Sequence, residues 1–238
     1  MATLVFDIET SCVSKDNLDE SQLEYLCRPA ENLEDETERE KKREQIERMF
    51  NLWPFTAQVV CIAMLNADSG RGKVYFASDD AGDSGEADGY EYVACLDEFE
   101  VLTSFWEAAR KFNRIVTFNG RAFDVPFLYL RSAGLNVPIS QKNWLGYRFS
   151  TEPHCDLADQ LCFYGVSGRD GAARRFNMDF YCRAFGITSP KSQGVSGQDV
   201  NDLMGEGKYR EIAEYCARDV IATNELYQMW KERLAGVK

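Results

Sequence analysis

Acidic side chains of this chain stand in three places where their spacing could bring carboxylates together. Asp7 and Glu9 are two residues apart at the end of a predicted strand over residues 3–9, so both carboxylates point to one face of that strand. The preceding run Leu-Val-Phe is typical of a central strand, where carboxylates are costly to bury unless a cation meets them. A metal ion would supply that charge, although a D-x-E pair at the end of a strand is more often a solvated edge.

The second place is Asp124, in the segment FNGRAFDVPFL. Asn119 closes a predicted buried strand over residues 115–118, and Asp124 then falls in the first turn of a predicted helix over residues 122–133. An acidic residue in the first turn is explained by capping and by the helix dipole. Taken alone, this segment therefore favours a structural role.

The third place is the pair Tyr215 and Asp219, four residues apart on a predicted helix over residues 208–234. Residues with this spacing lie on one helical face, about one turn from each other. A tyrosine that is hydrogen-bonded to an aspartate is a frequent structural contact. This pair is weak as a functional signal by itself.

The elements that must position these residues mix strands and helices, which predicts a mixed α/β fold with all 238 residues in one large domain. Residues 79–89 are rich in glycine and acid and are predicted to form a loop. The predicted strands cover residues 3–9, 58–65, 73–77 and 115–118, and the predicted helices cover residues 96–112, 122–133, 157–164, 172–185 and 208–234.

The segment from about residue 16 to residue 50 is highly charged, with acids and bases interleaved at helical spacing. We interpret it as one or two exposed helices that form an insertion. Its few apolar residues, such as Ile46 and Phe50, are too few to predict a core of its own.

Composition narrows the class of protein. Thirty-nine acidic residues against 27 basic ones give a net charge of −12, which argues against a protein that coats nucleic acid by bulk attraction. Eight cysteines without a C-x-x-C pair and a single histidine, His154, argue against structural zinc. The absence of a signal peptide pattern and of a long apolar run predicts a cytoplasmic protein with no membrane contact.

The three acidic segments follow one another in the same order as a known set of three motifs. FDIET at residues 6–10, N-x-x-x-F-D-x-P-x-L at residues 119–128 and Y-x-x-x-D at residues 215–219 resemble the three motifs of the DEDD-type 3′–5′ exonucleases. The position of Tyr215, four residues before Asp219, resembles the tyrosine subclass. The sister subclass has histidine where this chain has Glu214. The chain looks most like the exonuclease domain of family B DNA polymerases and the stand-alone predicted exonucleases related to it, and K-x-x-x-x-x-G at residues 191–197 adds to this resemblance.

The resemblance implies an RNase H-like sheet flanked by helices and a metal-dependent 3′–5′ exonuclease that releases nucleoside 5′-monophosphates from single-stranded ends. It implies two divalent cations, Mg²⁺ or Mn²⁺, whose oxygen ligands would be four carboxylates. Asp7 would bridge both ions, Glu9 and Asp219 would complete one site, and Asp124 would hold the other. Tyr215 would orient the attacking water, because a phenol with a pKa near 10 is a poor base at neutral pH.

The resemblance also places Thr10 and Asn119 at the terminal nucleotide, and Lys191 is the basic residue that we assign to backbone phosphate. Arg121, Arg148 and Arg175 are alternatives for that contact, and Tyr147 could stack on a base. DNA is favoured over RNA as the substrate, although both stay open because one sequence does not reveal a contact to a 2′-hydroxyl. The charged insertion is a candidate lid or protein-partner surface.

Two other functions stay open at this point. An enzyme of the same fold could cut nucleic acid internally, and a non-catalytic nucleic-acid-binding module could retain the fold without activity. The retention of all four carboxylates favours an enzyme. Much of the acidic excess lies in residues 79–100, so the remaining chain is nearly neutral and suits brief contact with one strand end.

Overall fold

Seven strands form one sheet in the computed structural model, which describes residues 2–166, 168, 171–190 and 199–237. The strands are β1 Thr3–Cys12, β2 Ala57–Asn66, β3 Gly72–Ala77, β4 Gly85–Ala87, β5 Tyr90–Cys95, β6 Arg114–Thr117 and β7 His154–Asp156. The helices are α1 Glu20–Glu31, α2 Glu36–Glu47, α3 Glu98–Ala109, α4 Asp124–Gly134, α5 Leu157–Leu161, α6 Met178–Phe185, α7 Val200–Gly205 and α8 Tyr209–Arg233. The spatial order of the strands is β4-β5-β3-β2-β1-β6-β7.

The half of the sheet that carries the acidic motifs is parallel. β1 pairs with β6, with Val5 opposite Val116, and β6 pairs with β7, with Val116 opposite Cys155. The carboxyl ends of parallel strands meet at one edge of a sheet, where open α/β sheets bind their ligands. Asp7 lies two residues beyond Val5, level with the point where β6 has ended.

The other half of the sheet is mixed. β2 is antiparallel to β3, and β3 is parallel to β5. β4 closes the edge as an antiparallel partner of β5.

Helices cover both faces of the central strand. Val5 packs in the core with Val220 and Leu226 of α8, whereas the ring of Phe6 lies 5.5 Å from those of Phe105 in α3 and Trp144. Since Leu4, Val5 and Phe6 are fully buried, β1 needs an apolar run rather than an alternating pattern. Each such side chain stabilises the fold by about 1.5–3 kcal/mol, and this packing fixes the strand that ends in Asp7 and Glu9.

Residues 10–58 form a compact unit by themselves, and residues 1–9 and 59–238 form the other. The smaller unit holds the two helices that the charged segment predicts, α1 and α2, each with an aspartate at its N-cap. The expectation that the segment lacks a core is wrong, because Ala30, Ile46 and Phe50 form a small buried cluster. Whether the segment is an insertion in one domain stays a prediction.

Three strands, β4, β5 and β7, are absent from the sequence prediction. β4 lies inside the predicted loop over residues 79–89, and β5 follows it; in β5 the buried Tyr90 and Tyr92 alternate with the exposed Glu91. β7 has three residues, too few for a periodic pattern. All three lie at or next to an edge of the sheet, where neighbouring strands rather than local propensity decide the conformation.

Three predicted helices end or begin elsewhere. The helix predicted over residues 157–164 is a single short helix, α5, since the chain turns left-handed at Phe163 and Tyr164. The helix predicted over residues 172–185 begins only at Met178, where Asn177 accepts a hydrogen bond from the Phe180 N–H and caps it. The helix predicted over residues 96–112 is α3, which begins after its N-cap Asp97.

Within the described ranges, the structure contains no helix with the length and apolar character that crossing a bilayer requires.

Candidate active site

β1 presents Asp7 and Glu9 on one face, while Ile8 between them is buried on the other. Glu9 is buried and Asp7 is partly buried. Burial raises the pKa of the Asp7 carboxyl well above its usual range, and the charges of Asp124, Asp219 and Glu9 raise it further. The pKa of Glu9 is raised by burial first and then by Asp219 and Asp124. The two carboxylates thus belong to a cluster with both of the distant aspartates.

Asp124 is the first residue of α4 and is 2% exposed. Its Oδ1 accepts a hydrogen bond from the backbone N–H of Ile8 at 3.2 Å, so the side chain reaches across to β1. Burial is the largest cause that raises its pKa, to about 7. The contact with β1 shows that Asp124 does more than cap its own helix. Taken alone, the sequence segment favours only the helix cap.

α8 contributes Tyr215 and Asp219, both buried and one turn apart. Burial raises the pKa of Tyr215, and the charges of Asp219, Glu9 and Asp7 raise it further, so this phenol keeps its proton at neutral pH. A neutral phenol beside four carboxylates is a hydrogen-bond donor and not a base.

Cys216 is a neighbour of the cluster that the sequence analysis does not single out. Its Sγ lies 3.5 Å from the backbone oxygen of Asp7, and ligand atoms of Asp7, Glu9 and Cys216 all lie within 4.8 Å of one another. Burial and a hydrogen bond with Cys61 raise the pKa of this thiol well above its usual range. Cys216 therefore stays a neutral thiol, whereas only a thiolate is a good metal ligand. Its position next to Tyr215 on α8 is the one sequence feature from which Cys216 could have been predicted.

The turn after β6 is held by Asp156, the last residue of β7. Asp156 is 2% exposed, and its two carboxylate oxygens accept the backbone N–H groups of Asn119 at 2.8 Å and Arg121 at 2.9 Å. It also caps α5 through the Ala158 N–H. The charge of Asp156 contributes to the raised pKa of Asp124, which places this clamp beside the cluster.

Asn119 and Gly120 give this turn its conformation. Asn119 has a φ of +70°, a left-handed value that asparagine tolerates better than most residues. A Cβ on Gly120 would lie 2.5 Å from Oγ1 of Thr117, so a larger residue does not fit there. The Asn119 side chain faces Arg175, whose Nη2 donates to its Oδ1 at 2.5 Å.

His154 is buried, and its Nε2 lies 2.8 Å from the hydroxyl of Thr117. Burial lowers the pKa of this imidazole to about 3, so it is neutral at physiological pH. The Thr117 hydroxyl in turn accepts the Gly120 N–H. The sole histidine of the chain thus supports the turn and lies outside the ligand set.

The other two predicted substrate residues are Thr10 and Lys191. Thr10 is buried in the unit of residues 10–58, where its hydroxyl donates to the backbone oxygen of Asn51 at 2.6 Å. Lys191 lies outside the described residues, as does the rest of the motif at residues 191–197. Their assignment to substrate binding stays a prediction.

The sequence of residues 56–235 matches a family described as a predicted 3′-5′ exonuclease related to the exonuclease domain of PolB. The chain belongs to this family. The matched residues include Asp124, Tyr215 and Asp219, whereas Asp7 and Glu9 precede them. Membership confirms the resemblance to the predicted exonucleases related to the polymerase domain, whereas the DEDD type and the tyrosine subclass stay predictions.

Two polymerases are similar to this family member. DNA polymerase 1 of Saccharolobus solfataricus is 24% identical over 178 residues, which are 71% of this chain and 19% of the polymerase. The family B DNA polymerase of the hyperthermophilic archaeon Pyrobaculum calidifontis matches in structure with a TM-score of 0.56 and 18% identity, over 97% of this chain and 24% of the polymerase. The structural likeness confirms the predicted RNase H-like fold, and the chain spans about a fifth to a quarter of these relatives.

Proposed function

We propose that this chain is a metal-dependent 3′–5′ exonuclease of the DEDD type and the tyrosine subclass. It would hydrolyse the terminal phosphodiester of a single-stranded 3′ end and release nucleoside 5′-monophosphates. The observation that carries the proposal is the gathering of Asp7, Glu9, Asp124 and Asp219 from β1, α4 and α8 into one buried cluster. Family membership supports exonuclease activity in general.

The chemistry of the donor set fits divalent cations. Burial and mutual repulsion raise the pKa values of Asp7, Glu9 and Asp124, which is the signature of acidic groups that lack a compensating charge. Carboxylate oxygens are the ligands that Mg²⁺ and Mn²⁺ prefer. We therefore assign two such cations to these three residues and Asp219. When bound, the ions would lower the pKa of a water and stabilise the charge of the transition state and the leaving oxygen.

The protein's own groups would orient the reaction. The protonated hydroxyl of Tyr215, one helical turn from Asp219, would direct the lone pair of the attacking water toward the phosphorus. The water oxygen would lose a proton to solvent and form the new P–O bond, the P–O3′ bond would break, and the released 3′-oxygen would take up a proton. Because Tyr215 keeps its own proton, its contribution is positioning and a hydrogen bond.

The terminal nucleotide would be bound by Asn119, Thr10 and Lys191. Asp156 holds the backbone N–H of Asn119, and Arg175 holds its side-chain oxygen. DNA is the favoured substrate, because the two most informative relatives are named as DNA polymerases.

The test is digestion of a 5′-labelled single-stranded oligonucleotide with Mg²⁺ or Mn²⁺, followed by separation of the products by length. We expect a ladder that shortens from the 3′ end and nucleoside 5′-monophosphates as the released product. A circular single strand should stay intact, which separates this activity from internal cutting. RNA of the same sequence, tested in parallel, identifies the preferred sugar.

The matched variants are Asp7→Asn in the cluster and Glu107→Gln on the exposed surface of α3. Asp7→Asn should lower the rate by at least about 100-fold, since it removes charge where transition-state stabilisation is needed. Glu107→Gln should leave the rate unchanged. Full activity of Asp7→Asn would overturn the proposal.

A further inference from the structure

A basic cavity opens beside the turn that carries Asn119. It has a volume of about 450 Å³, within the range of small-ligand sites, and its lining includes Arg148, Arg174, Arg175, Tyr164 and Asp159. All three arginines are exposed. In a chain of net charge −12, three arginines around one cavity are a local reversal of sign.

The charges of these arginines are only partly neutralised within the described residues. Arg148 lies 3.4 Å from the buried carboxylate of Asp159. Arg174 lies over the ring of Phe176, with its guanidinium carbon 5.2 Å from the ring centroid. Arg175 donates to the neutral amide of Asn119, a contact that leaves its charge intact. The net charge of the side chains that line the cavity is positive, which suits an anionic ligand.

Aromatic rings continue the cavity along one side. The ring of Phe149 lies 5.0 Å from that of Tyr164 and 5.6 Å from that of Tyr147, in edge-to-face contact with both. Phe149 is 57% exposed and Tyr147 is 70% exposed. An edge-to-face contact covers only one face of one of its two rings, and large exposed apolar side chains gathered in one place mark an interaction surface.

The backbone at this surface is strained. Phe163 and Tyr164 are consecutive residues with φ values of +47° and +57°. Left-handed conformations cost roughly 1 kcal/mol for residues other than glycine and asparagine, and such costs concentrate at functional sites. The strain places the Tyr164 ring at the cavity, where Gln160 holds its hydroxyl through a 2.6 Å hydrogen bond.

Positive charge interleaved with exposed aromatic rings is the combination that binds single-stranded nucleic acid, because arginines hold phosphates and rings stack on bases. We propose that Arg148, Arg174 and Arg175, together with Tyr147, Phe149 and Tyr164, form a strand-binding surface for the nucleotides that precede the 3′ end. The contact between Arg175 and Asn119 links this surface to the turn that Asp156 clamps beside Asp124.

The position that we assign to this surface along the strand rests on the proposed function. Binding of a strand to the surface can be measured without hydrolysis. The assay is fluorescence anisotropy of a 5′-labelled 12-nucleotide strand in EDTA, with DNA and RNA strands as separate arms. Binding of either strand that depends on the surface supports the proposal, and the difference between the arms identifies the sugar that it accepts.

Two variants carry the test, each with a matched control. Arg174→Glu should weaken binding about tenfold and make the dependence of log affinity on log salt shallower by about 0.7, the value for one lost phosphate contact on a single strand. Arg71→Glu, the same charge change in the turn between β2 and β3, should do neither. Phe149→Ser should weaken binding at least about fivefold through lost stacking, whereas Phe99→Ser, a similarly exposed ring on α3, should not.

A fully paired duplex hides its bases, so Phe149→Ser should leave duplex binding unchanged. The proposal is overturned if the wild-type chain does not bind either strand, or if Arg174→Glu and Phe149→Ser bind as their controls do. A chain that binds strands through this surface but digests none would overturn the exonuclease proposal and leave the surface standing. If the wild-type chain digests strands normally but neither variant weakens binding, the surface proposal is overturned and the exonuclease proposal stands.

Discussion

At the scale of single residues, the acidic cluster lowers the stability of the fold. Four carboxylates share a buried region, and each one that ionises raises the pKa values of its neighbours. Burial of like charges without a cation opposes folding. Two expected results follow, one for a member of the cluster and one for the histidine that supports the adjoining turn.

Asp124→Asn should stabilise the chain in EDTA at pH 8 by more than about 1 kcal/mol, because each unit of raised pKa corresponds to about 1.4 kcal/mol and the pKa of Asp124 is raised to about 7. The amide oxygen of asparagine can still accept the Ile8 N–H, so the contact with β1 is kept. Urea unfolding measures the free energy, and the oligonucleotide assay should show loss of activity in the same variant. A destabilised Asp124→Asn protein would contradict this view of the cluster.

His154 should make stability fall on acidification. Its pKa is lowered to about 3 in the folded state and is near 6.5 in the unfolded chain, so the unfolded state binds more protons between these values. Stability from this group is therefore present above pH 6.5 and is lost as the pH falls, by about 2 kcal/mol at pH 5.

The measurement compares urea unfolding at pH 7 and pH 5 for the wild type and for His154→Gln. The variant removes the titrating group and leaves all carboxylates in place, so its stability should fall less between the two pH values. Equal losses in both proteins would show that His154 does not titrate on unfolding.

At the scale of elements, the turn between β6 and α4 decides where Asp124 lies. Asp156, at the end of β7, accepts two backbone N–H groups of that turn and one of α5, so a single carboxylate joins three elements. Asp156→Ala leaves these buried donors without a partner and should cost about 2–4 kcal/mol of stability. Asp156→Asn keeps one acceptor oxygen and should cost less.

If Asp156 positions the turn, Asp156→Ala should also lower kcat at temperatures where the protein stays folded. Rescue of part of that loss by Asp156→Asn would identify a positioning role. A variant whose kcat is unchanged once the folded fraction is equal would show that the turn holds its place without the clamp.

At the scale of the whole molecule, folding concentrates acidic groups where a divalent cation would bind, and a ligand that binds only the folded state raises its stability. We expect Mg²⁺ or Mn²⁺ at 100 times its Kd to stabilise the wild type by about 2.7 kcal/mol. Calorimetric or fluorescence melting measures the rise in Tm. The same addition should shift the Tm of Asp7→Asn much less, and an equal shift in both would place the stabilising ion elsewhere.

The sequence by itself determined the acidic motifs, their element types and the family. Apolar periodicity is strong in long buried elements, so β1, β2 and α8 could be predicted with nearly correct bounds. D-x-E on a strand and Y-x-x-x-D on a helix fix their faces by local geometry alone. Asp124 could be recognised through the motif order, even though its own segment favours a helix cap.

Only the tertiary structure decided which groups meet. The Ile8 contact of Asp124, the Asp156 clamp and the Cys216 thiol join residues 35 to 209 positions apart, and no local periodicity encodes such contacts. β7, β4 and β5 exist because neighbouring strands offer hydrogen bonds to them, and the pKa shifts exist because folding removes four carboxylates from water. Local spacing sets which way a side chain points, whereas long-range packing sets what it faces.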